Sequence, residues 1–266
     1  KLYELKCTTW FSVPSFLDLF LKTNTAKIFK HNKFKRIIFG GERFPIKSIK
    51  KIYKFIKKGK IYNVSGPTEC TCICSAHEVR NKDLNTKDEN IYVGKINEYF
   101  NYKIKYLSRN NKKGELYLEG PSISEGYINN YFATNRSFYN TKKFKGYKTG
   151  DLVSSNAQGN IKILGRVDNQ IKFMGYRIEI EEIENKIIKK LKIDNCIVIL
   201  KQIKKYPYKK IVLFTDIKKI KEINLHNKLK NILPNFMIPT ETKLIEKFKY
   251  NKNFKIDRTY YNNDLL

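Results

Sequence analysis

The chain has 266 residues, enough for one large domain or two modest ones with a substantial hydrophobic core. Its 54 Lys and Arg residues against 25 Asp and Glu residues give a net charge of +29, which alone suggests an anionic partner such as nucleic acid. However, the lysines are spread over the whole chain, and no basic run alternates with stacking aromatic residues as a single-strand groove requires. We therefore interpret the charge as a solvated surface and expect no specific nucleic-acid partner.

No segment is apolar for long enough to cross a membrane, and the chain begins at Lys1 without a methionine or a secretory signal. We expect a cytoplasmic fragment with no membrane insertion.

The cysteines raise the question of a metal site or a disulfide framework. Cys70, Cys72 and Cys74 alternate with other residues, and on a strand this pattern would put three thiols on one face, about 7 Å apart. Structural zinc sites leave two or more residues between paired cysteines. The total of five cysteines is odd, which disfavours a disulfide framework. We interpret these residues as small buried hydrophobic groups.

The first 90 residues alternate between strand and helix patterns. The apolar spacing predicts three strands and two helices, at residues 8–13, 34–39 and 60–64 and at residues 14–21 and 46–56. Gly40 and Gly41 turn the chain from the second strand towards the second helix. This alternation predicts a parallel sheet covered by helices, whose ligands bind in the loops at the carboxyl ends of the strands.

Residues 91–167 have a different sequence pattern, which predicts short strands separated by glycines. Residues 135–144 are polar and basic and predict a surface helix. Further on, apolar residues alternate with polar ones at residues 161–163 and 171–173, which predicts two strands. We expect Gly165 to begin a tight connection between them, and this places Asp168 in a turn.

From residue 168 the pattern changes to a smaller α+β arrangement. Helices are predicted at residues 178–191 and 217–232, with strands at 196–202 and 210–215 between them. The fold class is therefore α/β plus α+β, with three domains at residues 1–90, 91–167 and 168–266.

Several short motifs follow one another along this framework. Each alone has an ordinary explanation, since an aspartate in a turn usually bonds nearby backbone N–H groups and Gly-Pro is a general turn signal. The motifs are Ser-Gly-Pro-Thr-Glu at 65–69, Gly-Glu-Leu at 114–116, Tyr-Lys-Thr-Gly-Asp-Leu at 147–152, Gly-Arg-Val-Asp-Asn-Gln at 165–170, Leu-Pro-Asn-Phe-Met-Ile-Pro at 233–239 and Asn-Phe-Lys-Ile-Asp-Arg at 253–258.

In this order and at these spacings, the motifs resemble those of the adenylate-forming, AMP-binding enzymes, specifically the amino-acid adenylation branch. The likeness extends from Asn63 to Arg258, and the closing motif and Ile-Phe-Gly-Gly-Glu at 38–42 are most similar to D-alanine–D-alanyl carrier protein ligases and related nonribosomal peptide synthetase domains. The resemblance implies a large adenylation core, with a parallel α/β sheet and a barrel-like β subdomain, followed by a small α+β lid.

The resemblance also implies roles for individual residues in binding ATP and Mg²⁺. Glu69 would hold Mg²⁺, and Thr68 would contact phosphate. Asp151 would accept hydrogen bonds from the ribose hydroxyls with the help of Arg166. The remaining nucleotide-binding residues would be Asn63, Ser65 and Gly66, and the substrate pocket would include Gly40 and Gly41. The family commonly has an aromatic residue at the position of Ser65.

In such enzymes a carboxylate attacks the α-phosphate of ATP, and a phosphopantetheine thiol then attacks the acyl-adenylate. The resemblance assigns Lys255 as the catalytic cation of the first step and Asp168 as the hinge of the lid. Phe254 stands where the family has glycine. The expected partners are a small amino acid, with D-alanine among the candidates, and a carrier protein.

Two other functions stay open. An acyl-CoA ligase of the same superfamily would form its thioester with CoA instead of a carrier protein. A catalytically degenerate relic or basic binding protein would bind nucleic acid with a log affinity that falls linearly with log salt. The family's phosphate loop and the aspartate that pairs with the substrate ammonium lie upstream of the matched region, so we expect this chain alone to be inactive.

Overall fold

The computed structural model describes residues 4–23, 34–56, 59–86, 91–107, 112–202, 209–216, 222–252 and 256–263. Internal contacts divide the chain into two compact units, unit 1 at Lys1–Asp168 and unit 2 at Asn169–Leu266. Both units combine helices with sheets, so the predicted mixture of α/β and α+β structure is confirmed. Among the described helices, none has the length and apolar character that crossing a membrane demands.

Unit 1 opens with alternating strands and helices. Their bounds are β1 Thr9–Ser12, α1 Pro14–Lys22, β2 Arg36–Gly40, α2 Ile46–Phe55, β3 Lys60–Ser65, a 3₁₀ turn Thr68–Cys70, β4 Ser75–Glu78, α3 Asn81–Leu84 and β5 Lys95–Ile96. The five strands form one sheet in chain order. The pairs β1–β2 and β2–β3 are parallel, as predicted, and β4 and β5 join antiparallel.

Helix α2 illustrates how the sequence builds this layer. Ile49 and Ile52 are fully buried and belong to the same core as Ile37 and Ile61 of the sheet. Lysines occupy the exposed positions 47, 50, 51 and 54. Burying each isoleucine contributes about 1.5–3 kcal/mol, so the apolar stripe fixes which face of the helix meets the sheet.

The second sheet of unit 1 is antiparallel and carries most of the later motifs. Its elements are β6 Asn101–Tyr106, β7 Gly114–Gly120, α4 Tyr131–Ser137, β8 Phe138–Asn140, β9 Lys145–Ser155 and β10 Ile161–Arg166. The strand order is β10-β9-β7-β6, and β8 pairs with β9. Leu118, Tyr147, Val153 and Ile161 are almost completely buried in its core.

The stretch that contains Cys70, Cys72 and Cys74 does not form one continuous strand. Cys70 ends the 3₁₀ turn, and Thr71 and Cys72 have φ values of +57° and +75°, which reverse the chain before β4. Cys70 and Cys74 are buried as expected, but Cys72 is exposed. Burial raises the pKa of the Cys70 thiol, which keeps it protonated and unreactive.

Two further predictions in unit 1 need correction. The expected helix at residues 135–144 is instead the end of α4 and then β8, because Phe138 is buried against Tyr147 with ring centroids 4.9 Å apart. Gly165 does not begin a turn. It lies inside β10, where the pairing with β9 shifts at a β-bulge between Ile163 and Gly165.

Unit 2 contains a hairpin, a three-stranded sheet and three helices within the part that the structure describes. The bounds are β11 Gln170–Phe173, β12 Tyr176–Glu179, α5 Ile180–Leu191, β13 Cys196–Gln202, β14 Lys209–Thr215, α6 Glu222–Ile232, a 3₁₀ turn Asn235–Met237, β15 Glu241–Leu244 and α7 Arg258–Asn263. β11 and β12 form the hairpin. β13 pairs antiparallel with β14, and β15 pairs parallel with β14. The predicted start of the helix at residue 217 lies outside the described residues.

Alternating residues of β13 and β14 supply two different cores in unit 2. One contains Val198 and Leu213 together with Ile183, Ile187 and Leu229 of the helices. The other groups Ile197, Ile199, Val212 and Phe214 with Phe248 and Tyr261. Both faces of this small sheet are therefore covered, which explains the nearly continuous apolar runs in its strands.

An ion pair between the half-buried Arg258 and the buried Glu184 of α5 anchors α7 to α5 and, through Val198, to β13. Arg258 bonds the carboxylate of Glu184, and its Nη1 donates to the Val198 carbonyl at 3.1 Å. The Val198 N–H in turn donates to Oε1 of Glu184 at 2.7 Å. Burial raises the pKa of Glu184, while Arg258 and the Val198 N–H lower it by less. The pair thus satisfies both backbone groups of Val198, and this ties the closing motif of the chain to the sheet.

The division into two units leads to a test by limited proteolysis. We expect the first cuts of the folded chain to fall within residues 165–175, because few contacts hold a segment between compact units. Trypsin digestion followed by intact-mass spectrometry would locate them. First cuts within residues 93–164 would contradict the predicted hinge at Asp168.

Candidate functional site

The loop that follows β3 holds the first group of predicted site residues. Ser65 ends β3, and its carbonyl accepts the Cys74 N–H at 2.9 Å. Asn63, which is buried, donates from Nδ2 to the Tyr92 carbonyl at 2.9 Å. The described geometry therefore gives Asn63 a part in fixing the loop.

Gly66 is required by the close approach of two segments in this loop. A Cβ added there would lie 1.9 Å from the Cys72 carbonyl oxygen and 2.8 Å from the Cys74 nitrogen. Thr68 follows at the start of the 3₁₀ turn. The glycine thus lets residues 70–74 fold back against the loop, which brings Thr68 and Glu69 to the carboxyl end of β3.

Gly40 and Gly41 lie at the same edge of the sheet. Gly40 is in register with Val64 of β3, and a Cβ on Gly40 would lie 2.4 Å from the Val64 carbonyl oxygen. Gly41 has a φ of +87°. Because β2 and β3 are parallel, these glycines and the Ser65 loop share the edge at which ligands of such sheets bind.

Glu69 is held by a chain of two tyrosine hydroxyls. Its side chain is almost fully buried, and Oε1 accepts a hydrogen bond from the Tyr127 hydroxyl. The Tyr127 and Tyr147 hydroxyl oxygens are 3.4 Å apart, and the Ser124 N–H donates to the Glu69 carbonyl at 2.8 Å. These bonds connect the loop after β3 to β9, which carries Tyr147.

Four residues after Tyr147, the same strand carries Asp151 within a network centred on Arg166. Arg166 Nη1 donates to Asp151 Oδ1 at 2.8 Å and to the Thr149 carbonyl at 2.9 Å. Its Nε and Nη2 donate to the two oxygens of Asp168 at 2.8 and 2.6 Å, which is the bidentate geometry that favours arginine over lysine.

The charges of this network support one another despite their burial. Burial lowers the pKa of Arg166, but hydrogen bonds and charge interactions with Asp168 and Asp151 raise it by more, so the pKa lies above the ordinary arginine value. Arg166 is therefore charged at every physiological pH and orients both carboxylates.

Gly150 occupies the point where Asp151, Arg166 and Asp168 meet. Its φ is +71°, its carbonyl accepts the Val167 N–H at 2.9 Å, and its N–H donates to Glu115 Oε1 at 3.2 Å. Glu115 thus supports the irregular part of β9 that carries Asp151. The Gly-Glu-Leu motif was the available signal for this contact, but the motif does not name the backbone group that Glu115 binds.

The residues present suit the groups that the resemblance implies. Mg²⁺ is bound through one or two carboxylates, water and substrate phosphates, and Glu69 provides one carboxylate. In the described parts of the chain, no group of three or more His, Cys, Asp and Glu side chains forms a metal cage, and Mg²⁺ with a nucleotide does not need one. Asp151 has several lone-pair positions, so one bond from Arg166 leaves capacity for ribose hydroxyls.

The closing motif is only partly described. Lys255, Phe254 and Asn253 lie outside the described residues. The segment that contains them is flanked by an antiparallel bridge between Tyr250 and Ile256 and by a bond from the Asp257 N–H to the Lys249 carbonyl at 2.9 Å. The role of Lys255 therefore stays a prediction.

A pair of glycine substitutions tests the Arg166 network. Gly150→Ala should lower the free energy of unfolding by about 2–5 kcal/mol, because an alanine at positive φ costs about 1–2 kcal/mol and disturbed charged hydrogen bonds add about 1–3 kcal/mol. The added Cβ would lie 2.5 Å from Arg166 Nη2 and 2.6 Å from Asp168 Oδ2. Urea unfolding would measure the loss.

Gly159→Ala is the matched control, because Gly159 also has a positive φ, of +78°, but its added Cβ meets only the Tyr102 hydroxyl oxygen at 3.7 Å. We expect it to cost about 1–2 kcal/mol. Equal losses for the two variants would mean that the Arg166 network does not constrain Gly150.

Known proteins resemble this chain in both sequence and fold. Residues 2–128 match the family model described as AMP-binding enzyme. A D-alanine–D-alanyl carrier protein ligase from Lactococcus lactis is 28% identical over 267 residues, which cover 97% of this chain and 52% of that protein. The chain thus spans about half the length of this curated relative.

Solved structures give the same picture for the fold. The Vibrio cholerae adenylation domain AlmE, solved in complex with glycyl-adenosine-5'-phosphate, superposes with a TM-score of 0.82 at 22% identity over 98% of this chain and 50% of that one. PA1221, a nonribosomal peptide synthetase protein with adenylation and PCP domains, superposes with a TM-score of 0.80 at 20% identity, over 98% of this chain and 45% of that one.

The family match, the sequence relatives and the shared fold lead to one assignment. Residues 2–128 belong to the AMP-binding enzyme family, and the chain as a whole corresponds in fold to part of an adenylation domain.

Proposed function

We propose that this chain is part of an ATP-dependent ligase that activates a small amino acid as its adenylate and passes it to the phosphopantetheine thiol of a carrier protein. One observation carries the proposal. The Glu69–Tyr127–Tyr147 hydroxyl chain joins the loop after β3 to β9, the strand on which Asp151 lies. Two motifs that are distant in sequence thus lie in one unit, where Glu69 would supply the metal-binding carboxylate and Asp151 the ribose-binding carboxylate.

The nucleotide would be held mainly by unit 1. Asp151 would accept bonds from the two ribose hydroxyls, and Arg166 would fix its orientation through the bond to Oδ1. Thr68 and the backbone at Gly66 would face the phosphates, while Asn63 would act through the loop because its amide donates to Tyr92. Ser65 would leave the adenine without an aromatic partner from this position.

Glu69 is the residue that would hold Mg²⁺. When bound, the ion would neutralise negative charge on the phosphate oxygens. Tyr127 and Tyr147 would keep the Glu69 carboxylate in place, and Gly40 and Gly41 would leave space for the amino acid beside the loop.

In the first half-reaction, a carboxylate oxygen of the amino acid would form a bond to the α-phosphorus as the bond to pyrophosphate breaks. Negative charge grows on the phosphate oxygens, so a positioned cation lowers the barrier. Lys255 would supply that cation. In the second half-reaction, the thiol sulfur would bond to the acyl carbon, its proton would be lost and AMP would leave. Asp168 would be the hinge between the two states.

The carrier-protein acceptor and the amino acid are supported by the relatives, which include a D-alanine–D-alanyl carrier protein ligase and a protein that contains a PCP domain. Pyrophosphate exchange with D-alanine, glycine and other small amino acids would identify the substrate. Offering the resulting adenylate to a carrier protein and to CoA would separate a carrier ligase from an acyl-CoA ligase.

Lys255→Ala in the full-length gene product tests the catalytic assignment. It should slow adenylation by about 10²–10³-fold, the usual cost of losing a charge-stabilising group, while thioester formation from supplied aminoacyl-adenylate stays within a few-fold. Pyrophosphate exchange and single-turnover thiolation would measure the two steps.

Lys252→Ala is the control, because Lys252 is an exposed lysine of the same segment but stands outside the matched position of the motif. Phe254→Gly, which restores the family's residue beside Lys255, should leave adenylation unchanged or faster. If Lys255→Ala catalyses adenylation at a rate within a few-fold of wild type, Lys255 is not the catalytic cation. That result would favour the alternative of a catalytically degenerate protein.

A second test uses the 266-residue chain alone. We expect no pyrophosphate exchange above background, because the chain spans about half of its relative and the resemblance implies that the family's phosphate loop lies outside the matched region. The Lactococcus lactis ligase is the positive control, and circular dichroism would confirm that the chain is folded. Exchange at a rate comparable to that of the relative would contradict this expectation.

A further inference from the structure

The hydroxyl that binds Glu69 is itself rigidly placed. The Tyr127 N–H donates to the Thr134 hydroxyl at 2.9 Å, and the Asn130 N–H donates to the Tyr127 carbonyl at 3.2 Å. The Tyr127 ring packs edge-on against Phe138, with ring centroids 5.3 Å apart. Backbone and ring are both fixed, so the hydroxyl has a defined position before any ligand arrives.

The direction of the hydrogen bonds follows from the chemistry of the hydroxyl group. A tyrosine hydroxyl has one proton to donate, and Tyr127 uses it on the Glu69 carboxylate. The 3.4 Å contact between the two tyrosine hydroxyls then has Tyr147 as donor and Tyr127 as acceptor. Two hydrogen bonds that run in this direction polarise the Tyr127 hydroxyl and strengthen its bond to the Glu69 carboxylate.

Tyr147 is the buried end of this series of hydrogen bonds. It is 1% exposed and packs against Phe138 with a centroid distance of 4.9 Å. A fully buried phenol hydroxyl carries a desolvation cost unless it is hydrogen-bonded, so its bond to Tyr127 also stabilises the core. The carboxylate is therefore oriented by groups that belong to the packed interior of the second sheet.

We propose that Tyr127, backed by Tyr147, is a positioning residue that holds Oε1 of Glu69 and thereby orients the carboxylate that would bind Mg²⁺. The inference rests on the proposed function, which assigns the ion to Glu69. Tyr127 acts through Glu69 and does not touch the ion or the nucleotide. Partners of metal-binding carboxylates typically change metal affinity by about 10–100-fold when they are lost.

Tyr127→Phe in the full-length gene product tests this role, because it removes the hydroxyl and keeps the ring on Phe138. Calorimetric titration with ATP, in the presence of Mg²⁺ and in the presence of EDTA, separates metal binding from nucleotide binding. We expect Tyr127→Phe to raise the Mg²⁺ concentration needed for half-maximal nucleotide binding by about 10-fold, with ATP binding in EDTA unchanged.

Tyr139→Phe is the matched control. Tyr139 donates its hydroxyl to Glu119 Oε1 at 3.0 Å in the same sheet, so the variant removes a tyrosine–glutamate bond that does not involve the loop after β3. It should leave the Mg²⁺ requirement unchanged. An equal rise in both variants would overturn the proposal in favour of a general loss of stability, which their thermal unfolding would also reveal.

A double-mutant cycle with Glu69→Gln separates this inference from the proposed function. If Tyr127 acts through Glu69, then Tyr127→Phe should add nothing further in the Glu69→Gln background. Full additivity, or no effect of Tyr127→Phe while Glu69→Gln weakens Mg²⁺ binding, overturns the positioning role alone. An unchanged Mg²⁺ requirement in Glu69→Gln overturns the proposed metal role of Glu69 and the positioning role with it.

Discussion

The arrangement at the end of unit 1 depends on the guanidinium of Arg166. It donates to Asp151, to the Thr149 carbonyl and to both oxygens of Asp168, so one planar group fixes β9, β10 and the residue at which the compact units divide. Removing one partner of a buried ion pair costs about 3–5 kcal/mol, because the other charge is left uncompensated. Gly150 has to lack a side chain for the same reason, since the space for its Cβ is occupied by Arg166 and Asp168. The backbone conformation at Gly150 and the placement of the charged groups around Arg166 therefore depend on each other.

The sequence predicts the regular parts of the fold well, because their signal is local. The apolar spacing of α2 and the β1–β2–β3 alternation correspond to the observed parallel sheet, and β13 and β14 lie where their apolar runs predict them. The errors have physical causes that spacing cannot reveal. Thr71 and Cys72 adopt positive φ in a stretch whose alternating pattern is typical of a strand. Gly165 lies in a bulge instead of a turn. Phe138 draws a basic segment into the sheet through long-range aromatic packing.

The candidate site, like the fold, could be predicted from the sequence only in part. Motifs single out Glu69, Asp151, Arg166 and Asp168 as side chains, and the structure brings the last three into direct contact, although their roles towards a nucleotide stay predictions. What the sequence could not provide is the set of supporting contacts. Glu115 was present in a matched motif, but only the three-dimensional pairing identifies the Gly150 N–H as its partner and Tyr127 as the donor to the Glu69 carboxylate. Such contacts join residues that are far apart in the chain, and no periodicity encodes them.

The supporting donors also resolve an electrostatic difficulty of the proposed site. A nucleotide is strongly anionic, and two nearly buried carboxylates, Glu69 and Asp151, would repel it if their charges were unscreened. Each carboxylate instead accepts a bond from a fixed donor, the Tyr127 hydroxyl for Glu69 and the Arg166 guanidinium for Asp151. These bonds disperse the negative charge of the two carboxylates, each of which has several lone-pair positions. The net charge of +29 then acts over longer distances, because a basic surface raises the local concentration of anionic ligands at low salt. A strongly basic chain can therefore keep acidic residues at its site, provided that each one is paired with a donor before the nucleotide binds.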